Sequence, residues 1–331
     1  MKKTYLRQAI LSGVASLSFA AAAHAQTTTQ DNFLNSLLTR KTMTGDWNGG
    51  RTRLKEAGLT FKGFYDGNFA DAVSGGKRTG NGYAQQLGIG VDADMGKLFG
   101  LEGGTLSVGF NQRQGRSVSS DFIGNRLAVQ EVYGAGETLR VTELSYTQNF
   151  AHGLVQTKAG FYPMGNDFAG IEDGCDFMNV GFCAHAQNLP ASSGWSDYPT
   201  GKWGGRIKLS PTPALYIETG IYDVNPGYYQ KNNGLKVSTS GSTGALIPLE
   251  AGYKVNLGGL PGLYKVGAYY DTSDAASVTN ASDMQSGRYG FYAIANQMLV
   301  SFGGPKRGLI AIGMVSYSDP STACLLYTSD A

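Results

Sequence analysis

This sequence predicts an all-β fold, an antiparallel transmembrane β-barrel preceded by a short N-terminal helical segment, and three observations predict it. The first is composition. Among 331 residues there are 48 Gly, 19 Tyr and 15 Phe, only 16% are charged, and the mean hydropathy is −0.20. No run of about 18 apolar residues follows the N-terminus, which excludes a helical membrane protein. The second is a series of segments that alternate apolar and polar residues with period two. The third is that the connections between them alternate between long and short, as membrane barrels do with external loops and periplasmic turns. A soluble β-sandwich gives no reason for that alternation, and nothing in the sequence supplies a second layer of helices.

Residues 1–25 read as a secretory signal. Lys2, Lys3 and Arg7 form the positive end, Ala9 to Ala23 the small apolar stretch, and Ala23-His24-Ala25 an A-x-A cleavage site that leaves Gln26 as the mature start. Export of this type implies a bacterial envelope, with the outer membrane as the expected location. Residues 26–58 form an N-terminal periplasmic segment. Phe33, Leu34, Leu37 and Leu38 fit one amphipathic helix. Arg51 to Ala57 fit a two-turn helix closed by Gly58. Three cysteines suit an oxidising compartment. Cys175 and Cys183 either clip a small loop as a disulfide or stand as two thiols, and spacing alone does not decide.

Eleven strands are expected, at 59–70, 83–95, 104–113, 138–149, 154–163, 202–210, 213–224, 245–256, 263–272, 290–301 and 307–318. Leu59, Phe61, Tyr65 and Phe69 share a face against Lys62, Asp66 and Asn68. Leu87, Ile89, Val91 and Ala93 oppose Gln86, Asp92 and Asp94. Leu106, Val108 and Phe110 oppose Ser107, Asn111 and Arg113, and Trp203, Ile207 and Leu209 oppose Lys202, Arg206 and Lys208. Tyr264, Val266, Ala268 and Tyr270 oppose Lys265 and Asp271. The segments at 138–149, 290–301 and 307–318 alternate less cleanly. In a wide barrel the polar face lines water, so inward charges need no obligatory partners. An odd strand count conflicts with the even number of bacterial barrels. The barrel over 59–318 is therefore read as incomplete. Residues 319–331, which break the pattern and carry Cys324, read as a non-native tail.

Charge and histidine content narrow the function. Lys and Arg total 27 against 25 Asp and Glu, so no strong field draws nucleic acid. Only His152 and His185 remain after the signal, neither in a zinc spacing nor in a nucleophile motif. The expectation is no enzyme, no metal and no cofactor. The Gly49-Gly50 pair is no phosphate loop, because no Gly-Lys-Ser/Thr follows it.

Gly45-Asp46-Trp47-Asn48-Gly49-Gly50-Arg51, then Leu54 and Ala57-Gly58-Leu59, resembles the opening signature of the carbohydrate-selective porin family, OprB. It departs at Asn48, where Gly is usual, and at Leu59, where Ile is. Gly160-Phe161-Tyr162-Pro163, Asn166-Asp167-Phe168-Ala169-Gly170, Phe177-Met178-Asn179 and Phe182 are similar to the family's strand-then-loop region. The resemblance covers residues 40 to about 318. It implies a barrel of about sixteen strands, of which about five are absent here. It also implies diffusion of sugars, glucose among them, across the outer membrane, often as homotrimers embedded in outer-membrane lipid.

Such a pore must bind a neutral ring weakly enough to release it, with aromatic faces and exchangeable hydrogen-bonding groups. The inward rows mix Lys62, Arg113, Lys158, Arg206, Lys208, Lys254 and Lys265 with Asp66, Asp92, Asp94, Glu218, Glu250 and Asp271. A row of cations with few acids would instead suit an anion. The longest connection, 164–201, is the candidate constriction. Arg113, Lys158, Arg206, Glu218 and Trp195 are the expected lining residues. A general or anion-preferring porin is the second reading, and an outer-membrane enzyme or a filled adhesin barrel ranks below it.

Overall fold

The computed structural model describes residues 39–134, 137–183, 185–186, 188–303 and 307–323. The signal sequence, the apolar cluster from Phe33 to Leu38 and the tail from Cys324 lie outside the described residues. The described residues up to Thr52 and those from Arg53 belong to two compact units. In the first, Asp46 Oδ1 accepts from the Thr52 amide at 2.9 Å and from its hydroxyl at 2.8 Å, holding the start of helix α1 (Gly50–Glu56). Arg51 lies 5.4 Å over the Trp47 ring. Asn48 adopts a left-handed φ of 55°, which Asn tolerates best after Gly. That accounts for Asn at a position where the resembling family has Gly.

The second unit is one antiparallel sheet in which every strand pairs with its sequence neighbours. Its strands are β1 (Leu59–Ala72), β2 (Gly80–Asp94), β3 (Gly104–Gly115), β4 (Leu139–Phe150), β5 (Val155–Tyr162), β6 (Lys202–Leu209), β7 (Leu215–Val224), β8 (Gly244–Leu257), β9 (Leu260–Ala276), β10 (Met284–Ser301) and β11 (Gly308–Ser318). All eleven expected strands are present. Among the described residues two short α-helices interrupt the connections, α2 (Met95–Phe99) after β2 and α3 (Asn188–Ser192) between β5 and β6. The uneven alternation has physical causes. The register shifts opposite Gly109/Phe110, so Arg140, Thr142, Glu143 and Ser145 of β4 all share the inner side with β3 partners or neighbours. β10 shifts at Ser286/Arg288 and Met298/Val300. In β11, Ile312 and Met314 are apolar inside as well, because they pack against the buried cluster in which Tyr292 and Ile294 of β10 meet residues of the 163–201 connection.

That connection also shows that the sheet curls. Asn188 bonds Ser318 on β11 at 3.0 Å, and the Tyr198 ring meets Phe64 on β1 at 6.1 Å. Eleven strands laid flat would span about 48 Å, whereas ten residues of extended chain reach about 35 Å. The strands therefore wrap the connection.

The two faces are inverted relative to a water-soluble protein. Ile89, Ile207, Ile221, Leu249, Val266 and Phe291 point outward and are exposed, while Asn111, Arg113, Arg206, Glu218, Glu250 and Asp271 point inward and are buried. Exposed apolar rows are what a lipid surround requires. Phe161 is the exception, outward but buried, because the 225–243 connection covers it with Tyr228 at 5.3 Å.

The abundant Gly and Tyr have a shared explanation. Tyr216, Tyr222, Tyr269, Tyr292 and Phe64 each lie flat over the glycine directly opposite on the next strand: Gly252, Gly204, Gly290, Gly267 and Gly88. A Cβ on Gly267 would come within 2.1 Å of the Tyr292 ring. Only glycine admits that close approach.

Candidate channel-lining site

The residues of β5 to β9 place a band of charge on the inner face. Across it run Gln156, Lys208, Glu218, Glu250, Gly267 and Tyr292, each in register with the next. Two carboxylates directly opposite each other repel. Each is held by separate donors. Arg206 bonds Glu218 Oε2 at 2.7 Å, and Lys208 Nζ stands 3.8 Å from the same oxygen. Glu250 accepts from Tyr216 at 2.7 Å, Tyr292 at 2.9 Å and the Ala169 amide at 2.7 Å. Arg206 also faces Asp167 of the connection at 3.5 Å and bonds Gln156.

Of the expected lining residues, Arg206 and Glu218 are in direct contact. Lys158 lies on the neighbouring strand, 3.1 Å from Glu143 and 4.1 Å over the Tyr162 ring. Arg113 belongs to a separate cluster, bonding Gln86 at 3.2 Å and the Glu131 carbonyl at 3.1 Å. Burial pushes the Glu131 carboxyl upward, against the opposing pull of Arg113. Trp195 is fully buried. It packs between Tyr269 and Tyr292 at 6.0 and 6.1 Å, so it braces the connection instead of presenting a face to water.

Three further expectations are resolved here. Where the 163–201 connection covers the inner face the charges are paired rather than loosely solvated, as Arg206 is with Glu218 and Asp167, because a buried unpaired charge is costly, whereas Lys254 stays exposed. Asp94 does not line the inner space; its Oδ1 caps α2 by accepting from the Lys97 amide at 3.1 Å. Cys175 and Cys183 are joined as a disulfide. The sequence reading missed Arg140, Glu143 and Arg288. The first two sit where the β4 register shifts, and Arg288 lies just before the expected start of its strand. Arg288 bonds Asp271 at 2.6 Å, and Arg140 bonds the Tyr228 carbonyl at 2.6 Å. Counting both parities through 138–149 would have found Arg140 and Glu143.

An apolar outer face around a charged inner face crossed by a long connection defines a porin. The comparisons agree. The model of the carbohydrate-selective porin, OprB family, matches residues 78–331. The chain is 33% identical to Porin B of Pseudomonas aeruginosa over 335 residues, covering 94% of this chain and 72% of that one. It is 31% identical to a putative porin, QuiX, of Acinetobacter baylyi over 307 residues, covering 88% and 68%. The high-pH structure of Pseudomonas putida OprB matches at a TM-score of 0.81 and 31% identity, over 86% of this chain and 72% of that one. The low-pH structure of the same protein matches at 0.55 and 24%, over 84% and 73%. This chain belongs to the carbohydrate-selective porin, OprB family.

Proposed function

We propose that this porin passes neutral monosaccharides, glucose among them, down their gradient across a bacterial outer membrane. In this reading residues 1–25 direct export, the short connections face the periplasm and the long ones face outward. Arg206, Glu218, Lys158 and Arg113 line the narrow part of the path. The observation that carries the reading is the balance of the inner band. Cations and carboxylates stand in contact pairs, Arg206 with Glu218 and Asp167, Lys158 with Glu143, Arg288 with Asp271. Paired groups of this kind offer donors and acceptors to hydroxyls without a net field that favours an ion.

Liposome swelling tests this directly. Glucose is expected to enter faster than an amino acid of similar size. Entry ranked by size alone would replace the sugar reading with a general porin. A strong reversal potential under a salt gradient would favour the anion-preferring alternative.

A further inference from the structure

One inward aromatic differs from the rest. Tyr216, Tyr222, Tyr269 and Tyr292 are covered by the 163–201 connection, whereas Phe64, in the same flat arrangement over its glycine, is 46% exposed. Around it lies a cavity of about 180 Å³ bordered by Lys62, Thr142, Glu143 and Tyr198. Its floor is bare backbone. Lys62, Gly90, Gly109 and Glu143 run in register across β1 to β4, so two glycines separate a cation from a carboxylate. Gly88, beneath Phe64, extends the floor.

From these features we infer that the β1–β4 wall carries a binding subsite for a single pyranose ring, separate from the Arg206–Glu218 band. The inference rests on the sugar-channel reading and deepens it by naming a place and a mode of contact. The exposed phenyl face takes the apolar C–H face of the sugar, as aromatic rings do with amphipathic partners. Tyr198 presents a second ring, 6.1 Å away and tilted 50°. Both rings border the same cavity. At the ends of the trough, Lys62 and Glu143 supply donor and acceptor to hydroxyls. Both are already oriented: Lys62 by Asp92 at 2.6 Å, Glu143 by Ser145 at 2.8 Å and Lys158 at 3.1 Å, both at its Oε1. Side chains on the floor would fill the space the ring needs, which gives the glycines a role beyond strand geometry. The cavity is of the size that one ring needs, so the site distinguishes sugars by contact.

The test uses the full chain in liposomes and planar bilayers, with glucose and a size-matched amino acid as probes. Phe64→Leu keeps apolar bulk over Gly88 while removing the flat face, and Phe64→Trp restores one. The subsite predicts that Phe64→Leu lowers the glucose-to-amino-acid entry ratio by about fivefold. Phe64→Trp should retain the ratio, and salt conductance should be unchanged in both. Lys62→Met serves as a second, independent variant with the same expectation for the ratio. If the parent protein prefers glucose and all three variants keep that preference, the subsite is wrong and the channel reading stands. If the parent shows no preference for glucose, the sugar reading fails and the subsite falls with it.

Discussion

Glu250 shows how one side chain joins the connection to the wall. It is fully buried, and it satisfies two tyrosine hydroxyls from β7 and β10 and the Ala169 amide of the connection at once. Replacing it by Ala leaves three buried donors without an acceptor, each costing about 1–3 kcal/mol. Glu250→Ala is therefore expected to lower stability by about 3 kcal/mol or more, read as a lower thermal midpoint in detergent. It should also raise single-channel conductance, because the connection is no longer pinned at Ala169. Glu250→Gln keeps an acceptor oxygen and should lose less on both measures. A midpoint unchanged in Glu250→Ala would show that the three bonds contribute nothing net. The position was legible as an inward charge from its alternation with Leu249. Its partners were not, because a tyrosine on a strand two places away is invisible to a pattern that reads one strand at a time.

At the scale of elements, strands and connections differ in how openly the sequence declares them. A strand with lipid on one side and a polar interior on the other must alternate, so β1 to β3 and β5 to β9 could be read directly. β4 and β10 blurred where the register shifts, since one extra residue moves every following side chain to the other face. The 163–201 connection was identifiable as the long element carrying Asp167, Phe168 and Trp195. Its internal core was not, because contacts such as Trp195 with Tyr292 are formed by folding back on distant strands. The Cys175–Cys183 bond closes a short stretch within it, and such closure is worth about 2–3 kcal/mol in the entropy account. Because the bond lies within the connection and joins no two strands, the Cys175→Ser, Cys183→Ser double variant should still fold its sheet. Its connection should become more susceptible to protease, with noisier conductance. Loss of β-structure by circular dichroism in that variant would contradict the assignment of the bond to the connection alone.

For the whole molecule, the governing fact is which face meets which solvent, and two adjacent residues on β9 test it. Val266 points outward and is 59% exposed, while Lys265 points inward and donates to the Gly170 carbonyl at 2.8 Å. In a water-soluble sheet an exposed Val→Arg change would be close to neutral, since the new charge stays hydrated. With lipid outside, the same Val266→Arg change places a cation in hydrocarbon near the middle of the strand. It is expected to cost about 2–4 kcal/mol. Lys265→Met removes one hydrogen bond on the inner side and should cost about 1 kcal/mol, while altering conductance by freeing the connection at Gly170. Folding into phospholipid vesicles, followed by denaturant midpoints, separates the two cases. Val266→Arg should fold in lower yield and unfold earlier, and Lys265→Met should track the parent. Equal midpoints for parent and Val266→Arg would mean that the exposed apolar rows do not face lipid. The inverted distribution of charge would then need a protein partner to cover it. The predicted ordering follows from the same parity that let the strands be read: the residue whose side chain sits in lipid is the one the membrane punishes, and its neighbour one step along the chain is not.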